Sequence, residues 1–287
     1  FILLIISGSE IIIRSFNLTN DVPQRKIDQN GLQTYIINQS GYFSENKWKV
    51  NKYGFLGLSD TNFENQILII GDSMIENIMN PLECNQGYLL KEKLGETFGV
   101  FEIGRSGITL IEALEFKKKY EAIVNPYKTI IFINQNDIEE SISNISRLPD
   151  RLQINVVSGQ LEKVRIRYPV LKKILYNIKI LYYLYLKGVF AINKLEVNVI
   201  KQNTSNSSYI KNLISIINSK YNLNELIFVI NSNNDNLISN IEKLKIKNKI
   251  ILDPFNNWYI EGDGHWNCYG HKKVSELVFN LIIEENL

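Results

Sequence analysis

Cysteine and histidine are scarce in this sequence, which contains only two of each. A structural zinc site takes about four Cys or His ligands at characteristic spacings. It would use most of Cys84, Cys268, His265 and His271, whose spacings match no familiar pattern, so we expect no metal. An oxidising compartment would allow the two cysteines to pair. The interpretation that we favour is that both cysteines are free and act as small hydrophobic residues.

A long basic stretch is also missing, and the formal net charge is only +2. Nucleic-acid binding depends on clustered positive charge, so we expect no nucleic-acid partner. The 45% share of hydrophobic residues and 22% share of charged residues are those of a globular protein, not a disordered one. The length of 287 residues suits one large domain or one domain with an insertion.

The N-terminal stretch "FILLIISGSEIIIRSF" is apolar only up to Arg14, short of the roughly 20 residues that cross a bilayer. Two interpretations compete. Residues 1–17 are either the remnant of a membrane anchor with Arg14 at the water interface, or a buried strand or helix of the domain. The start in the middle of the apolar run favours the anchor. We therefore expect a membrane-anchored protein whose catalytic domain, residues 18–287, lies outside the cytoplasm, in the periplasm or at the cell surface.

Five short apolar segments follow a polar, glycine-punctuated region of loops and short strands at 18–64. Because these segments lack polar alternation and are separated by helical patterns, they predict a parallel sheet covered on both faces. The predicted strands are Gln66–Ile70, Val100–Ile103, Thr129–Ile133, Leu226–Ile230 and Lys249–Leu252.

Three apolar stripes at helical spacing predict the covering helices. The stripes consist of Leu90, Leu94 and Phe98; of Ala113, Phe116, Tyr120 and Ile123; and of Val274, Leu277, Val278, Leu281 and Ile282.

An insertion at about 145–222 separates the third and fourth predicted strands. It begins with a hairpin that turns at Ser158-Gly159. A long helix opened by Pro169 follows and extends to about residue 192, and its four lysines interrupt it too often for a membrane span. We expect this helix beside the active-site face.

The unusual polar residues fall where the predicted strands end, which is where open parallel sheets form their sites. Ser73 follows the first strand in "QILIIGDSMIEN", Gly107 follows the second, Asn136 follows the third, and Asp263 and His265 follow the fifth. Taken singly, each has a commoner explanation: a helix cap for Ser73, turn residues for Gly107 and Asn136, and a surface loop for His265. Together they supply a nucleophile, a base, an acid that orients the base, and oxyanion donors.

Four blocks of this chain, in order over about 210 residues, resemble the SGNH (GDSL-type) hydrolase superfamily. They are "GDS" at 71–73, "SG" at 106–107, "NQND" at 134–137 and "DGHWNCYGH" at 263–271. The resemblance implies a three-layer, flavodoxin-like α/β fold, with Ser73 as nucleophile and His265 as general base. It also implies an oxyanion hole made of the backbone N–H groups of Ser73 and Gly107 and the side-chain amide of Asn136, and no cofactor.

The sequence departs from the family pattern at three positions. Asn134 replaces the usual glycine of the third block, and Met74 replaces the usual leucine. Gly262 stands where the family places its acid, three residues before the histidine, so we expect Asp263 to bind Nδ1 of His265 instead, with Glu261 pointing away. The Asp-X-His spacing resembles the membrane-anchored polysaccharide O-acetyltransferases and esterases of the superfamily.

The resemblance implies acyl ester chemistry: O-acetyl transfer to, or removal from, a carbohydrate such as a cell-surface polysaccharide. The expected partner is a carbohydrate or another acyl ester, and a membrane acyl-transfer partner is compatible with it. The alternative is a non-catalytic SGNH-like module for polysaccharide binding or assembly, which Gly262 favours. A nucleotide- or flavin-binding domain is disfavoured, because "GDSMIENI" is not a glycine-rich phosphate loop.

Overall fold

The structure is a computed structural model. It describes residues 2–134, 136–189, 206–232, 234–253 and 255–284. The strands are β1 (Arg25–Ile27), β2 (Gln33–Tyr35), β3 (Ser40–Phe43), β4 (Asn46–Lys49), β5 (Asn65–Gly71), β6 (Phe98–Gly104), β7 (Lys128–Asn134), β8 (Ile154–Asn155), β9 (Gln160–Leu161), β10 (Leu226–Asn231) and β11 (Asn248–Ile251). The helices are α1 (Ile2–Ser15), α2 (Ser73–Glu76), α3 (Gln86–Leu94), α4 (Leu110–Val124), α5 (Asp137–Glu140), α6 (Pro169–Asn177), α7 (Lys179–Leu186), α8 (Asn206–Lys220), α9 (Asp235–Glu242) and α10 (Cys268–Glu284).

A parallel sheet of five strands forms the centre of the molecule, in the order β11-β10-β7-β5-β6. Numbered along the chain, these strands take the order 2-1-3-4-5 of a flavodoxin-like sheet. They are the five strands predicted from the apolar segments, and their ends differ from the predicted ones by at most two residues. The fold class expected from the sequence is confirmed.

Helices cover both faces of the sheet, and the two faces bury alternate residues of the same strand. In β5, Leu68 and Ile70 belong to the core beneath α4, α8 and α9. Ile67 and Ile69 belong to the opposite core, beneath α3 and α10. All four side chains are at most 1% exposed. The continuous apolar run of β5 therefore follows from its position inside a three-layer structure.

All three predicted helical stripes differ from the structure at one residue. Helix α3 ends at Leu94, and Phe98 begins strand β6 instead of continuing the helix. In the other two stripes one residue is exposed: Ile123 of α4, at 48%, and Leu277 of α10, at 41%. Val124 takes the buried place at the end of α4, because the face that packs on the sheet is set by the register of the whole helix.

The predictions of short strands at 18–64 and of a hairpin in the insertion are both confirmed. The region 18–64 forms the antiparallel pairs β1–β2 and β3–β4. Strands β8 and β9 form a hairpin around Ser158 and Gly159, and Gly159 has a positive φ of 71°, which suits glycine in a tight turn.

The predicted long helix of the insertion is wrong in one respect, because it is divided into α6 and α7 at Ile178. Ile178 is extended (φ −103°, ψ 98°). The carboxylate of Glu10 in α1 accepts hydrogen bonds from the backbone N–H groups of Lys179 (3.0 Å) and Ile180 (2.8 Å). Glu10 therefore caps a new helix start. Pro169 opens α6 as predicted, while residues 190–192 lie outside the described residues.

Helix α1 packs against α7 and completes the junction between α6 and α7. Arg14 donates to the carbonyl oxygen of Asn177 over 2.7 Å, and it also pairs with Glu10. Of the apolar side chains in α1, Ile13 is buried, whereas Ile11 and Ile12 are more than half exposed. Within the described ranges, no helix combines the length and the apolar character that crossing a membrane would take.

Cys84 and Cys268 form a disulfide across 184 residues, so the interpretation of both as free residues is wrong. Cys84 ends a 3₁₀ turn before α3, and Cys268 begins α10. Strand β5 and the last helix bring these two positions to the same end of the sheet. Their Cα atoms lie 5.1 Å apart, within the range that a disulfide spans; the sequence gives no measure of that distance.

Candidate active site

Ser73 lies at the junction between strand β5 and the short helix α2, and it is half-buried. Two glycines make the junction possible. A Cβ atom at Gly71 would lie 2.4 Å from Cγ1 of Ile75, and one at Gly104 would lie 2.4 Å from the backbone nitrogen of Glu76. Both approaches are too close for a side chain, so glycine lets α2 pack directly on the strand ends.

The loop before α10 brings His265 to Ser73. Nε2 of His265 lies 2.9 Å from Oγ of Ser73, and Oδ1 of Asp263 is hydrogen-bonded to Nδ1 of the same ring. Asp263 Oδ1 also accepts from the backbone N–H of His265, at 3.2 Å. The hydrogen bond from His265 lowers the pKa of Asp263 below its usual value. The carboxylate therefore stays ionised beside the imidazole, as a group that orients a general base should.

Within the part of the chain that the structure describes, no acceptor is found for the three N–H donors predicted for the oxyanion hole. Within the described ranges, neither the backbone N–H of Ser73 nor that of Gly107 donates a hydrogen bond. The side chain of Asn136 is exposed at the start of α5 and makes no capping bond. Gly107 has a positive φ of 75°. Buried or half-buried N–H groups are normally paired, so these donors are available to a ligand.

Glu76 fixes the loop that carries Gly107, a role that the sequence analysis missed. Its buried carboxylate accepts from the backbone N–H of Ser106 (2.7 Å) and from the Ser106 hydroxyl. The hydroxyl of the buried Tyr35 donates to the other carboxylate oxygen. Glu76 lies three residues after Ser73, on the same helical turn. An acidic residue in the turn that follows a nucleophile was the signal that could have identified it.

Asn134, the residue in the family's glycine position, joins three strand ends. Its side-chain amide donates to Oδ2 of Asp72 over 2.6 Å, and its oxygen accepts from Asn231 at 3.0 Å. Its backbone N–H donates to Oδ2 of the buried Asp137 at 2.7 Å. Burial raises the pKa of Asp137, and the nearby charge of Asp72 raises it further. Burial also raises the pKa of Asp72, against the hydrogen bonds that it accepts.

Arg151 lies against Gly107. A Cβ atom at position 107 would be 3.2 Å from Nε of Arg151, so glycine at this position leaves room for the guanidinium. Arg151 is itself held by an ion pair with Glu140. A positive charge next to a candidate oxyanion donor favours the binding of a negatively charged oxygen, and nothing in the local sequence pattern pointed to this residue.

His271, the second histidine, is a packing residue. It is 1% exposed in the first turn of α10, and Gln86 lies 3.1 Å from its Nδ1. Burial lowers its pKa to about 3, so it stays neutral. In the part of the chain that the structure describes, no group of three or more His, Cys, Asp or Glu residues is placed to hold a metal ion.

Comparison with known proteins gives matches among solved structures alone. No family model matches the sequence, and no curated protein matches it. The similar structures include lipolytic hydrolases. A lipase/acylhydrolase from Enterococcus faecalis is 14% identical with a TM-score of 0.40, and the match covers 76% of this chain and 95% of the other. A member of the lipolytic protein G-D-S-L family from Veillonella parvula is 12% identical with a TM-score of 0.37, covering 74% and 94%.

Proposed function

We propose that this chain is an SGNH-type serine enzyme that acts on acyl esters. The observation that carries the proposal is the chain of contacts from Ser73 through His265 to Asp263. Its central distance is the 2.9 Å between Oγ of Ser73 and Nε2 of His265. A serine hydroxyl is a weak nucleophile until an adjacent base takes its proton, and His265 is placed to do so.

The proposed reaction has two steps. Oγ of Ser73 attacks the ester carbonyl carbon while its proton moves to Nε2 of His265. The negative oxygen of the tetrahedral intermediate accepts from the unpaired N–H groups of Ser73, Gly107 and Asn136, each worth about 3–4 kcal/mol. His265 then protonates the leaving alcohol, which leaves an acyl-enzyme. In the second step water or a sugar hydroxyl gives its proton to His265 and attacks the acyl carbon. The bond between that carbon and Oγ of Ser73 then breaks, and His265 returns the proton to Oγ, which restores the free enzyme.

The proposed substrate is an O-acetyl ester of a carbohydrate, with the acetyl group removed by water or transferred to a second sugar. The Asp-X-His arrangement supports this choice, because it is the spacing of the polysaccharide-modifying members that the sequence resembles. Transfer and removal differ only in the molecule that accepts the acetyl group in the last step. For transfer, a membrane acyl-transfer partner would serve as the acyl donor.

The proposed location is outside the cytoplasm, with the chain anchored at a membrane. The disulfide between Cys84 and Cys268 supports an oxidising compartment, because disulfides are rare in reducing ones. The exposed apolar side chains of α1, among them Leu4, Ile5 and Ile11, support a membrane next to this helix.

The competing hypothesis is a binding or assembly module that has kept the fold. Its basis is Gly262, because a glycine at the family's acid position provides no carboxylate. Asp263 occupies the place beside Nδ1 of His265 that the missing acid would take. This contact favours the enzyme over the module.

A fluorophosphonate probe tests the proposal without knowledge of the substrate, because it labels activated serines. We expect labelling of the intact protein at Ser73, none in Ser73→Ala, and loss of acetyl ester turnover in the same variant. Ser219→Ala is the matched control, since it removes the hydroxyl of an exposed serine in helix α8, outside the candidate site. Equal labelling or equal turnover in folded Ser73→Ala would exclude the proposed mechanism.

A further inference from the structure

A cavity of about 290 Å³ lies between the N-terminal strands and helix α6. Its volume is at the lower end of the range for small-molecule sites, about 300–1,000 Å³. One wall comes from the residues around β1 and β2, and the other from the insertion, including Pro169 and Tyr176. The cavity therefore has room for one sugar unit of a chain.

Positive charge dominates this cavity. Arg25, Lys172 and Lys173 line it, and Asp150 is the single acidic residue among its lining residues. In the described part of the chain, no salt bridge joins any of these three cations to a carboxylate. Arg25 donates a long hydrogen bond to Gln33, at 3.4 Å, and it interacts with the hydroxyl of Tyr35 and, at longer range, with the charge of Glu76. Three cations that form no salt bridge around one cavity favour an anionic ligand.

The remaining lining suits a carbohydrate. Gln24 and Gln33 bring side-chain amides, and Gln33 is held in place by a 2.7 Å hydrogen bond to the backbone oxygen of Asp150. Tyr176 brings an aromatic ring, which packs edge-on against Tyr182 with 5.4 Å between the ring centres. Amide groups pair with sugar hydroxyls, and the tyrosine ring offers an apolar face with a polar edge.

Two connections place the cavity next to the candidate active site. Asp150 lines the cavity, and the following residue, Arg151, lies against Gly107. On the other wall, the guanidinium of Arg25 lies 5.8 Å from the ring centre of Tyr35. The hydroxyl of Tyr35 in turn donates to Glu76, which holds the loop that carries Gly107. The cavity wall and the oxyanion loop thus share their supporting residues.

We propose that this cavity, which we name the cationic cavity, binds a negatively charged sugar unit of the substrate, next to the unit that carries the acyl ester. This inference rests on the proposed function for the identity of the reaction, but its binding step does not. The charged group is a carboxylate or a phosphate, which Arg25 and the two lysines would bind in the same way.

Binding is measured with Ser73→Ala, so that no turnover occurs. Two pairs of probes are compared, each made of an anion and a neutral match. The first pair is tri-galacturonate and its methyl ester, and the second is glucose 6-phosphate and glucose. We expect tri-galacturonate or glucose 6-phosphate to bind at least about tenfold more tightly than its neutral match, the effect of one charged hydrogen bond. The tighter of the two anions identifies the charged group. Equal affinity of charged and neutral probes would overturn the proposal.

Lys172→Gln/Lys173→Gln in the same background tests the place of binding. We expect about a tenfold loss of affinity for the anion. Lys47→Gln/Lys49→Gln is the matched control, since it removes two exposed lysines of strand β4 that do not line the cavity. Equal losses in the two double variants would mean a non-specific effect of charge and would overturn the proposal. Arg25→Gln gives a second, independent test at the opposite wall.

The same double variants are then compared in the Ser73 enzyme, with acetylated tri-galacturonate and its methyl ester as substrates. We expect the ratio of kcat/KM for the charged over the neutral substrate to fall about tenfold in Lys172→Gln/Lys173→Gln and to stay constant in the control. Anion binding by a protein that turns over no ester would remove the proposed function and leave the cavity assignment in place.

Discussion

The side-chain amide of Asn134 donates to Oδ2 of Asp72 over 2.6 Å. Because Asn134 also accepts from Asn231, the ends of β5, β7 and β10 are joined next to Ser73. A glycine at position 134, the usual residue of the family that the motifs resemble, has no side chain to make either bond. Asn134, which departs from the family pattern, therefore links neighbouring strand ends in this chain.

Replacing Asn134 by glycine should lower the free energy of unfolding by about 1–3 kcal/mol, because the Asp72 and Asn231 side chains lose a partner. Chemical denaturation measures the change. Asn231→Ala, which removes only one of the two bonds, is the comparison and should be less damaging. Equal stability of Asn134→Gly and the unmodified protein would show that the link is unimportant.

Replacing Glu76 by glutamine should lower kcat at least about tenfold with little change in KM. The glutamine amide cannot accept from both Ser106 and Tyr35, so the Gly107 N–H would lose its fixed direction, and a donor to the oxyanion acts mainly in the transition state. Tyr35→Phe keeps the Ser106 bonds and should retain more activity. Steady-state kinetics separate kcat from KM. A rise in KM alone would assign Glu76 to substrate binding instead.

Replacing Asp263 by asparagine should lower kcat about a hundredfold or more, since the imidazole would lose the carboxylate that orients it and stabilises its charge. Glu261→Gln is the matched control, because it removes a neighbouring exposed carboxylate and should keep its activity.

The contact between Asp263 and His265 also makes the stability of the fold depend on pH. Since the pKa of Asp263 is lowered in the folded protein, its contribution to stability is present above the ordinary value of 3.8. It is lost as the pH falls through the lowered pKa.

Glu102 predicts a second, opposite pH effect. This carboxyl group is fully buried in β6, and burial raises its pKa from the ordinary 4.5 to about 7. Between these values the folded chain holds a proton that the unfolded chain has released, so the free energy of unfolding falls as the pH rises. The fall levels off above pH 7, at about 3 kcal/mol in total.

Glu102→Gln should remove this pH dependence, so that the variant gains stability relative to the unmodified protein between about pH 4 and pH 8. Chemical denaturation across this range gives the free energies. Glu96→Gln serves as the control, since the Glu96 side chain is 99% exposed. A parallel pH profile for Glu102→Gln and the unmodified protein would contradict the prediction.

The sequence predicted the sheet because each strand carries its own local signal. Segments such as Ile67–Ile70 are apolar throughout, which is required of a strand buried on both faces. Three of the four site blocks could be located for the same reason, because each lies directly at a strand end. Local patterns of this kind are independent of the rest of the chain.

Contacts between distant parts of the chain left no such pattern. Glu76 and Tyr35 are 41 residues apart, and Glu10 caps a helix 169 residues away. Neither pair has a spacing or composition that marks it before the chain is folded. The division of α6 from α7 follows from the second of these contacts, and so the sequence alone predicted one uninterrupted helix.

The disulfide between Cys84 and Cys268 has a consequence for limited proteolysis. Any single backbone cut between residues 85 and 264 would leave Ser73 and Cys84 on one fragment, and His265 and Cys268 on the other. The two fragments would still migrate as one molecule without reductant, with the nucleophile and its base covalently tethered through the helix that follows the histidine. A nicked preparation should therefore keep any activity that depends on Ser73 and His265 until a thiol is added, which would separate the two halves of the proposed catalytic pair.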